Sequence, residues 1–416
     1  MTAASESGAG RVFELVGVGR IVFGSGAVER LGPIASDMGR MALVVTNAEP
    51  AASCGATDAV TRELVEHGVN CAIFVQGREP TVDDVDAALE TARQALGPRG
   101  GRCDIVVGLG GGSAIDCAKA VAALMTNGGS ALDYMEVVGK GLKVRRPSAP
   151  WIAVPTTSGT GAEVTRNAVI ACPERNFKAS IRGEHLLASA AVVDPKLGLG
   201  VPPAVTAWAG MDALCQLIES YTSTGAQPIT DALAAEGIPR AARSLERAVR
   251  KGSDLPARQD MALAALLSGI TLTNAGLGAV HGFAAPMGAN FPAPHGAICA
   301  ALLPGVMAAN VRALRAAEAH HPVLARYAAV GRLLTNRPRL GDRAAIDAGV
   351  RFVADLAAAI GIGPLSNFGV TIDRVAEMVA LAKKASSMRY NPIALSDEAL
   401  TRVLTEAMMG SRSAAT

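Results

Sequence analysis

Short apolar runs alternate with amphipathic ones through the first half of the chain. "MALVVTN" at 41–47 precedes the helical pattern of "DAVTRELVEHG". "NCAIFVQG" at 70–77 precedes "TVDDVDAALETARQAL", and "CDIVVGLG" at 103–110 precedes "SAIDCAKAVAALM". Two more strand-like runs follow, "WIAVPTT" (151–157) and "AVVDP" (191–195). This strand–helix rhythm predicts a mostly parallel sheet covered by helices. The apolar runs fit strands buried on both faces. An earlier pair, "RVFELVG" and "RIVFGSGAVERLG", reads as a hairpin-like opening. Past "GLGVPPAV" (198–205) helical periodicity recurs at 208–222, 229–248, 257–281, 295–315, 322–334, 343–360, 372–384 and 396–409, with no convincing strand between. The pattern therefore predicts an α/β domain over 1–199 and an all-α domain over 200–416. It contains no internal repeat and no low-complexity linker.

Composition sharpens this picture. A chain of 416 residues is expected to hold two or three domains. Half of it is apolar and 3% aromatic, so the core must be mostly Ala, Val, Leu and Ile. With 39 basic and 37 acidic residues and no long basic run, nucleic acid is not an expected partner. Seven scattered cysteines without a C-x-x-C motif fit a reducing cytoplasm. The N-terminal stretch lacks a basic region followed by an apolar core, so no secretory signal is expected. Met261 to Val311 contains no Asp, Glu, Lys or Arg, but its prolines, glycines and two histidines predict a buried helix–loop–helix rather than a membrane span.

Two loops carry candidate binding chemistry. In "CDIVVGLGGGSAIDCAK", Gly110, Gly111 and Gly112 let the backbone turn sharply after a strand, and Ser113 sits where an N-cap would. The free N–H groups of such a helix can receive a pyrophosphate. The spacing is neither the usual dinucleotide fingerprint nor a Walker A loop, and a tight structural turn is the plainer reading. In "VPTTSGTGAEVTRN" (154–167), Thr156, Thr157, Ser158 and Thr160 crowd hydroxyls around Gly159 and Gly161, again after a strand. Strand C-termini are where α/β sheets bind ligands. Together the two loops favour a dinucleotide site.

The second half offers a candidate metal site. Asp212 and Gln216 in "AGMDALCQLIES" share a helix face at i, i+4. The helix looks buried, a buried carboxylate needs a partner, and no cation is near in sequence. His281 and His295 lie in the uncharged stretch, each alone readable as a hydrogen-bonded core residue. A divalent ion, Zn2+ or Fe2+, would neutralise Asp212 and give both imidazoles a common partner. His67, His185, His320 and His321 lie in polar contexts and are expected at the surface.

The motifs "VFGSGAVERLG", "GGGSAIDCAK", "PTTSGTGAEVT", "VVDP", "GMDAL", "HGFAAP", "PHG" and "NPIALSDEAL" together resemble the iron-containing (group III) alcohol dehydrogenase family across nearly the whole chain. The resemblance implies a dinucleotide-binding N-terminal domain, a helical C-terminal domain, and a metal in the cleft between them. It implies that Gly111, Gly112 and Ser113 hold the pyrophosphate, that Thr156, Thr157 and Thr160 line the cofactor site with Asp116 and Asn167, and that Lys178 contacts a ribose. Asp212, His281 and His295 match three of the four metal ligands. Gln216 stands where the fourth, a histidine, is usual, and Ala285 replaces a histidine linked to proton relay. Asn47 stands where NAD-preferring members often carry Asp, which implies that NADP is tolerated as well as NAD. The activity implied is hydride transfer between a small alcohol–carbonyl pair and NAD(P), assisted by a metal, in a cytoplasmic homo-oligomer of two or more subunits. No catalytic residue is assigned beyond the metal ligands. A metal-independent reductase of the maleylacetate reductase type, a dehydroquinate synthase-like lyase and a non-catalytic dinucleotide-binding relative are the alternatives.

Overall fold

We describe the chain from a computed structural model, over residues 12–47, 55–77, 79–95, 103–136, 138–175 and 177–410. Arg11 and Leu96, at the ends of two sequence patterns, and Cys54 lie outside these residues. So does most of the N-terminal stretch read for a secretory signal.

The α/β part contains β1 (Ile21–Phe23), α1 (Leu31–Ser36), β2 (Met41–Asn47), α2 (Ala56–Glu66), β3 (Asn70–Gln76), α3 (Val82–Gln94), β4 (Ile105–Gly110), α4 (Gly112–Asn127), α5 (Ala131–Tyr134), β5 (Trp151–Pro155), β6 (Asn167–Cys172), β7 (Phe177–Arg182) and β8 (Ala190–Val193). Six strands form one all-parallel sheet in the order β1-β8-β5-β4-β2-β3. Strands β2, β4, β5 and β8 are buried throughout. Alternate residues feed two apolar clusters: Leu43, Val45, Val106 and Ala153 pack with α3 and α4, whereas Ala42, Val44, Ile105, Val107 and Ile152 pack with α1 and α2. This is period-two alternation with both faces covered, so the strands read as unbroken apolar runs. At the edge, β3 leaves Ile73 and Val75 exposed.

One sequence expectation about the sheet is corrected. The hairpin-like opening does not form: Val12–Gly17 is not a strand, and β1 pairs in parallel with β8, Ile21 opposite Ala191. Asp194, after β8, fixes this arrangement by accepting from the backbone N–H groups of Gly26 and Val28 at 2.9 and 3.3 Å. That is a physical role for the "VVDP" motif. A genuine hairpin lies elsewhere, where β6 and β7 pair antiparallel. Its first strand carries the apolar run "AVIAC", but no helical pattern follows it and β7 is interrupted by Lys178 and Ser180, so the strand–helix rhythm passed over the pair.

The helical part contains α6 (Pro203–Thr222), α7 (Pro228–Arg250), α8 (Leu255–Ala275), α9 (Ala279–Asn290), α10 (His295–Ala317), α11 (Pro322–Thr335), α12 (Asp342–Ala359), α13 (Val375–Lys384) and α14 (Asp397–Met409), with no strand among the described residues beyond 200. The pattern at 257–281 is two helices rather than one. Gly276, at φ +73°, ends α8 in the left-handed conformation that closes many helices. One compact unit comprises Val16–Pro202 with Lys251–Gly269, and another Pro203–Arg250 with Ile270–Thr416 and the N-terminal residues to Leu15. The first part of α8 thus belongs with the sheet, although it lies well beyond 200. Its Ala262 and Ala265 line the same small cavity as Thr156 and Ser158.

Candidate active site

In the α/β unit, the chain runs outward from β2 to β3 on one side and from β4 to β5 on the other. The sheet therefore reverses its strand order between β2 and β4, the place where open α/β sheets bind nucleotides. Asn47 ends β2 there, Gly110 ends β4, and Gly111–Ser113 follow it. The N-cap of α4 is Gly111, not Ser113, which lies inside the first turn. This shift leaves the sequence's glycines, rather than a hydroxyl, at the mouth of the helix. The loop after β5 packs on this turn. A Cβ on Gly112 would lie 2.6 Å from Thr160 Oγ1, and one on Gly111 would lie 3.3 Å from Thr157 Oγ1. Thr156 N donates to Gly110 O at 2.8 Å, while Thr156 Oγ1 is buried without a protein partner. The two loops singled out in the sequence thus form one cradle of small residues and free helix N–H groups, which fits a pyrophosphate.

The other cofactor candidates are placed less directly. Asn47 donates from Nδ2 to Gly77 O at 3.0 Å, and its Oδ1 lies against Gly110. Asp116 accepts from Val169 N at 3.0 Å and pairs with the fully buried Lys119 at 3.3 Å. Lys119 also donates to Thr165 Oγ1 and to the carbonyl of Asn167. Asp116 and Asn167 therefore belong to a buried network that ties α4 to β6. Burial lifts the Asp116 carboxyl and lowers the Lys119 amine, and it pushes nearby Glu163 up to about 7. Lys178, on β7, pairs with Glu79 at 2.6 Å.

In the helical unit, Asp212, Gln216 and Glu219 lie along one face of α6 and are all buried. His281 stands in the first turn of α9. That turn is fastened by two side chains: Glu219 Oε1 accepts from Val280 N at 2.8 Å, and Asn391 Oδ1 accepts from Ala279 N at 3.1 Å. Asn391 belongs to the "NPIAL" motif and also bonds Asn310 of α10, Nδ2 to Oδ1 at 2.7 Å. His295 opens α10, where Gly296 comes so close to α6 that a Cβ would lie 2.2 Å from Trp208 O. Trp208 is one turn before Asp212, so this contact sets His295 beside the carboxylate.

His281 Nε2 lies 3.2 Å and His295 Nε2 3.7 Å from the same oxygen, Asp212 Oδ1. The other oxygen, Oδ2, accepts from Gln216 Nε2 at 3.0 Å. On the far side of its ring, His281 Nδ1 meets Glu219 Oε2 at 2.6 Å. A proton on Nδ1 leaves Nε2 as a lone pair facing a carboxylate oxygen. Two acceptors at that separation require a positive charge between them, either a second proton or a metal ion. Burial pushes the Asp212 carboxyl up. Burial also opposes the charge on His281, yet Cys299, Asp212 and Glu219 hold its imidazole well above the ordinary range. The donor chemistry of this cluster fits a divalent ion. His295, with 46% of its side chain exposed, is its solvent-facing member.

Two neighbours were not singled out in the sequence. Glu219 is three residues beyond Gln216, so the Asp212–Gln216 face already pointed to it. Cys299 lies one turn after His295 on α10, with Sγ 3.8 Å from His281 Nε2. The i, i+4 spacing in "HGAIC" was the available signal. Of the other histidines, His67, His185 and His320 are exposed and His321 caps α11. The six described cysteines are free thiols.

Comparison with known proteins agrees with this geometry. The model of the iron-containing alcohol dehydrogenase family matches residues 19–195, and that of the Fe-containing alcohol dehydrogenase family C-terminal domain matches 206–408. The chain belongs to this family. It is an NAD(P)-dependent oxidoreductase acting on CH–OH groups, in a family that uses a divalent metal. It is 39% identical over 297 residues to long-chain-alcohol dehydrogenase 1 of Geobacillus thermodenitrificans (strain NG80-2), covering 70% of this chain and 73% of that protein. The solved structure of a 1,3-propanediol oxidoreductase superposes with a TM-score of 0.85 at 32% identity, over 95% of this chain and 100% of that one. A sulfoacetaldehyde reductase from Bifidobacterium kashiwanohense in complex with NAD+ gives 0.82 at 28% identity, over 96% and 99%. These matches do not favour the metal-independent, lyase or non-catalytic readings.

Proposed function

We propose that this chain interconverts a small alcohol and its aldehyde or ketone, with Asp212, His281 and His295 holding the divalent ion and the Gly111–Ser113 turn holding the NAD(P) pyrophosphate. The convergence of His281 Nε2 and His295 Nε2 on Asp212 Oδ1 carries this reading. When bound, the ion supplies Lewis acidity at the substrate oxygen and the nicotinamide gives or takes the hydride. The protein's own contribution is placement. Glu219 holds the proton of His281 on Nδ1 and so aims Nε2 at the ion's position, as outer carboxylates do in metal sites. Gln216 keeps Asp212 Oδ2 satisfied, so that Oδ1 alone turns toward the imidazoles. The apolar stretch from 261 to 311 keeps competing charge away, which strengthens electrostatics at the site. Ala285, exposed one turn after His281, cannot relay a proton, so the substrate's hydroxyl proton exchanges with solvent.

Thr156, Thr157 and Thr160 complete the phosphate cradle, and Lys178 contributes charge near the ribose. Asn47 carries no charge to repel a 2′-phosphate, which supports use of NADPH beside NADH. The free thiols support a cytoplasmic setting. Apolar side chains exposed at Val12, Phe13, Leu15 and Ile21 support a homo-oligomer. We read His295–Ala317, which has the length and hydropathy of a span, as a core helix, because 67% of its most apolar window is buried within the protein.

The test is a coupled one. Purified protein is assayed by elemental analysis and by NADH and NADPH oxidation over small aldehydes and ketones. Metal-dependent turnover with both cofactors is expected. Full activity in chelator-treated protein verified as metal-free would overturn the assigned metal role, and turnover with NADH alone would overturn the role given to Asn47.

A further inference from the structure

Resting on that metal site, we propose that Cys299, rather than Gln216, supplies its fourth protein ligand, making it an Asp–His–His–Cys centre suited to Zn2+. Asp212, His281, His295 and Cys299 each offer one donor atom, and the four atoms all lie within 4.8 Å of one another. The separations of 3.2 Å (His281 Nε2 to Asp212 Oδ1), 3.7 Å (His295 Nε2 to the same oxygen) and 3.8 Å (Cys299 Sγ to His281 Nε2) can be compared with a regular site. Tetrahedral zinc with ordinary bond lengths has ligand–ligand edges of about 3.3–3.7 Å. One separation lies just below this range, one at its top and one just above it, so the four donors come close to the required shape while leaving room for the substrate oxygen as a further ligand. Cys299 is fully buried and one helical turn from His295, so the two project from the same face of α10.

Gln216 is the weaker fourth donor for two reasons. Its Nε2 is committed to Asp212 Oδ2, the oxygen turned away from the imidazoles. Its amide oxygen is also neutral. Asp212 and two neutral imidazoles would leave the first shell of a dication at +1, offset only from outside it by the Glu219 carboxylate on His281 Nδ1. A Cys299 thiolate brings the first shell itself to neutrality, with its charge in direct contact with the ion rather than one ring away. On binding, the thiol proton leaves to solvent and a sulfur–metal bond replaces it, with no change of oxidation state. Thiolate softness then favours zinc over the harder alternatives.

X-ray absorption of the zinc-loaded wild-type protein tests this without any variant. One sulfur at about 2.3 Å is expected in the first shell. Cobalt-loaded protein should show a near-ultraviolet sulfur-to-metal charge-transfer band that disappears in C299S and persists in C215S and Q216A. Zinc affinity should fall more in C299S than in Q216A, where the outer-shell range of about 10–100-fold applies. A stoichiometric metal with only nitrogen and oxygen neighbours would overturn the role of Cys299 while leaving the metal-assisted reading intact. A band lost in C215S but kept in C299S would overturn it in favour of the other thiol. Failure to bind any metal would overturn both.

Discussion

The proposed nucleotide cradle and the proposed metal cluster are built on opposite principles. The cradle is made from what is missing: Gly111 and Gly112 have no side chains, the first turn of α4 has unpaired N–H groups, and the threonine loop fills the space beside them. Nothing in it is charged, and it is complete without a ligand. The cluster is made from groups that cannot rest alone. Asp212 and Glu219 are buried on α6, and among the described residues the only cationic groups placed against them are the imidazoles themselves. A site of the first kind tolerates an absent ligand; one of the second kind needs protons or a metal to hold its own charges. Stability and metal content should therefore be coupled in the helical unit and independent of cofactor in the sheet.

The largest expected effect on activity comes from Asp212→Ala. It removes the corner shared by both imidazoles, so metal content should fall to background and kcat/KM by on the order of 10³-fold or more, in line with the loss of Lewis-acid stabilisation. Cofactor binding, followed by NADH fluorescence, should be nearly unchanged. Loss of NADH binding in that variant would break the contrast between the two regions. The converse is Gly112→Val. Its side chain would collide with Thr160, where even a Cβ is 2.6 Å from Oγ1. The cofactor Kd should rise about 10-fold or more, the effect of roughly 1.4 kcal/mol, with full metal content retained.

The smallest effect on activity, and a sharper one on stability, is expected from Glu163→Gln. Burial raises the Glu163 carboxyl from 4.5 to about 7, so the folded protein holds its proton more tightly than the unfolded chain. The neutral form thus contributes stability that is fully present below pH 4.5 and is lost as pH rises through about 7. The glutamine variant cannot lose it. Its stability relative to wild type should increase between pH 5 and 8, by up to on the order of 3 kcal/mol. A stability difference independent of pH, from urea melts across that range, would show that Glu163 is already ionised in the fold.

Much of this was legible in the sequence because the physics involved is local. Unbroken apolar runs marked the buried strands, and the helical periods fell within a few residues of their observed ends except at 257–281, which ran across the end of α8 into α9. Asp212, His281 and His295 stood out because their surroundings offered no other partner. What escaped depended on distance. In the β6–β7 hairpin only β6 carries a short apolar run, "AVIAC", with no helical pattern after it, while β7 is broken by Lys178 and Ser180. The β1–β8 pairing joins segments roughly 170 residues apart, clasped by Asp194. Glu219 and Cys299 were visible as spacings, but their importance lies in which helix they face. Lys119 gave no hint that it would be fully buried against Asp116, Thr165 and the Asn167 carbonyl.

The meeting of Gly296 with the Trp208 carbonyl has an evolutionary corollary. Everything that α10 contributes to the chemistry is hung from a gap the width of one methyl group. Drift at that codon would prise the helix off its neighbour and scatter the proposed donors, while leaving the proposed nucleotide cradle on the sheet untouched. Descendants that lost catalysis but kept a dinucleotide could arise by that one change, without any substitution at the groups that do the work.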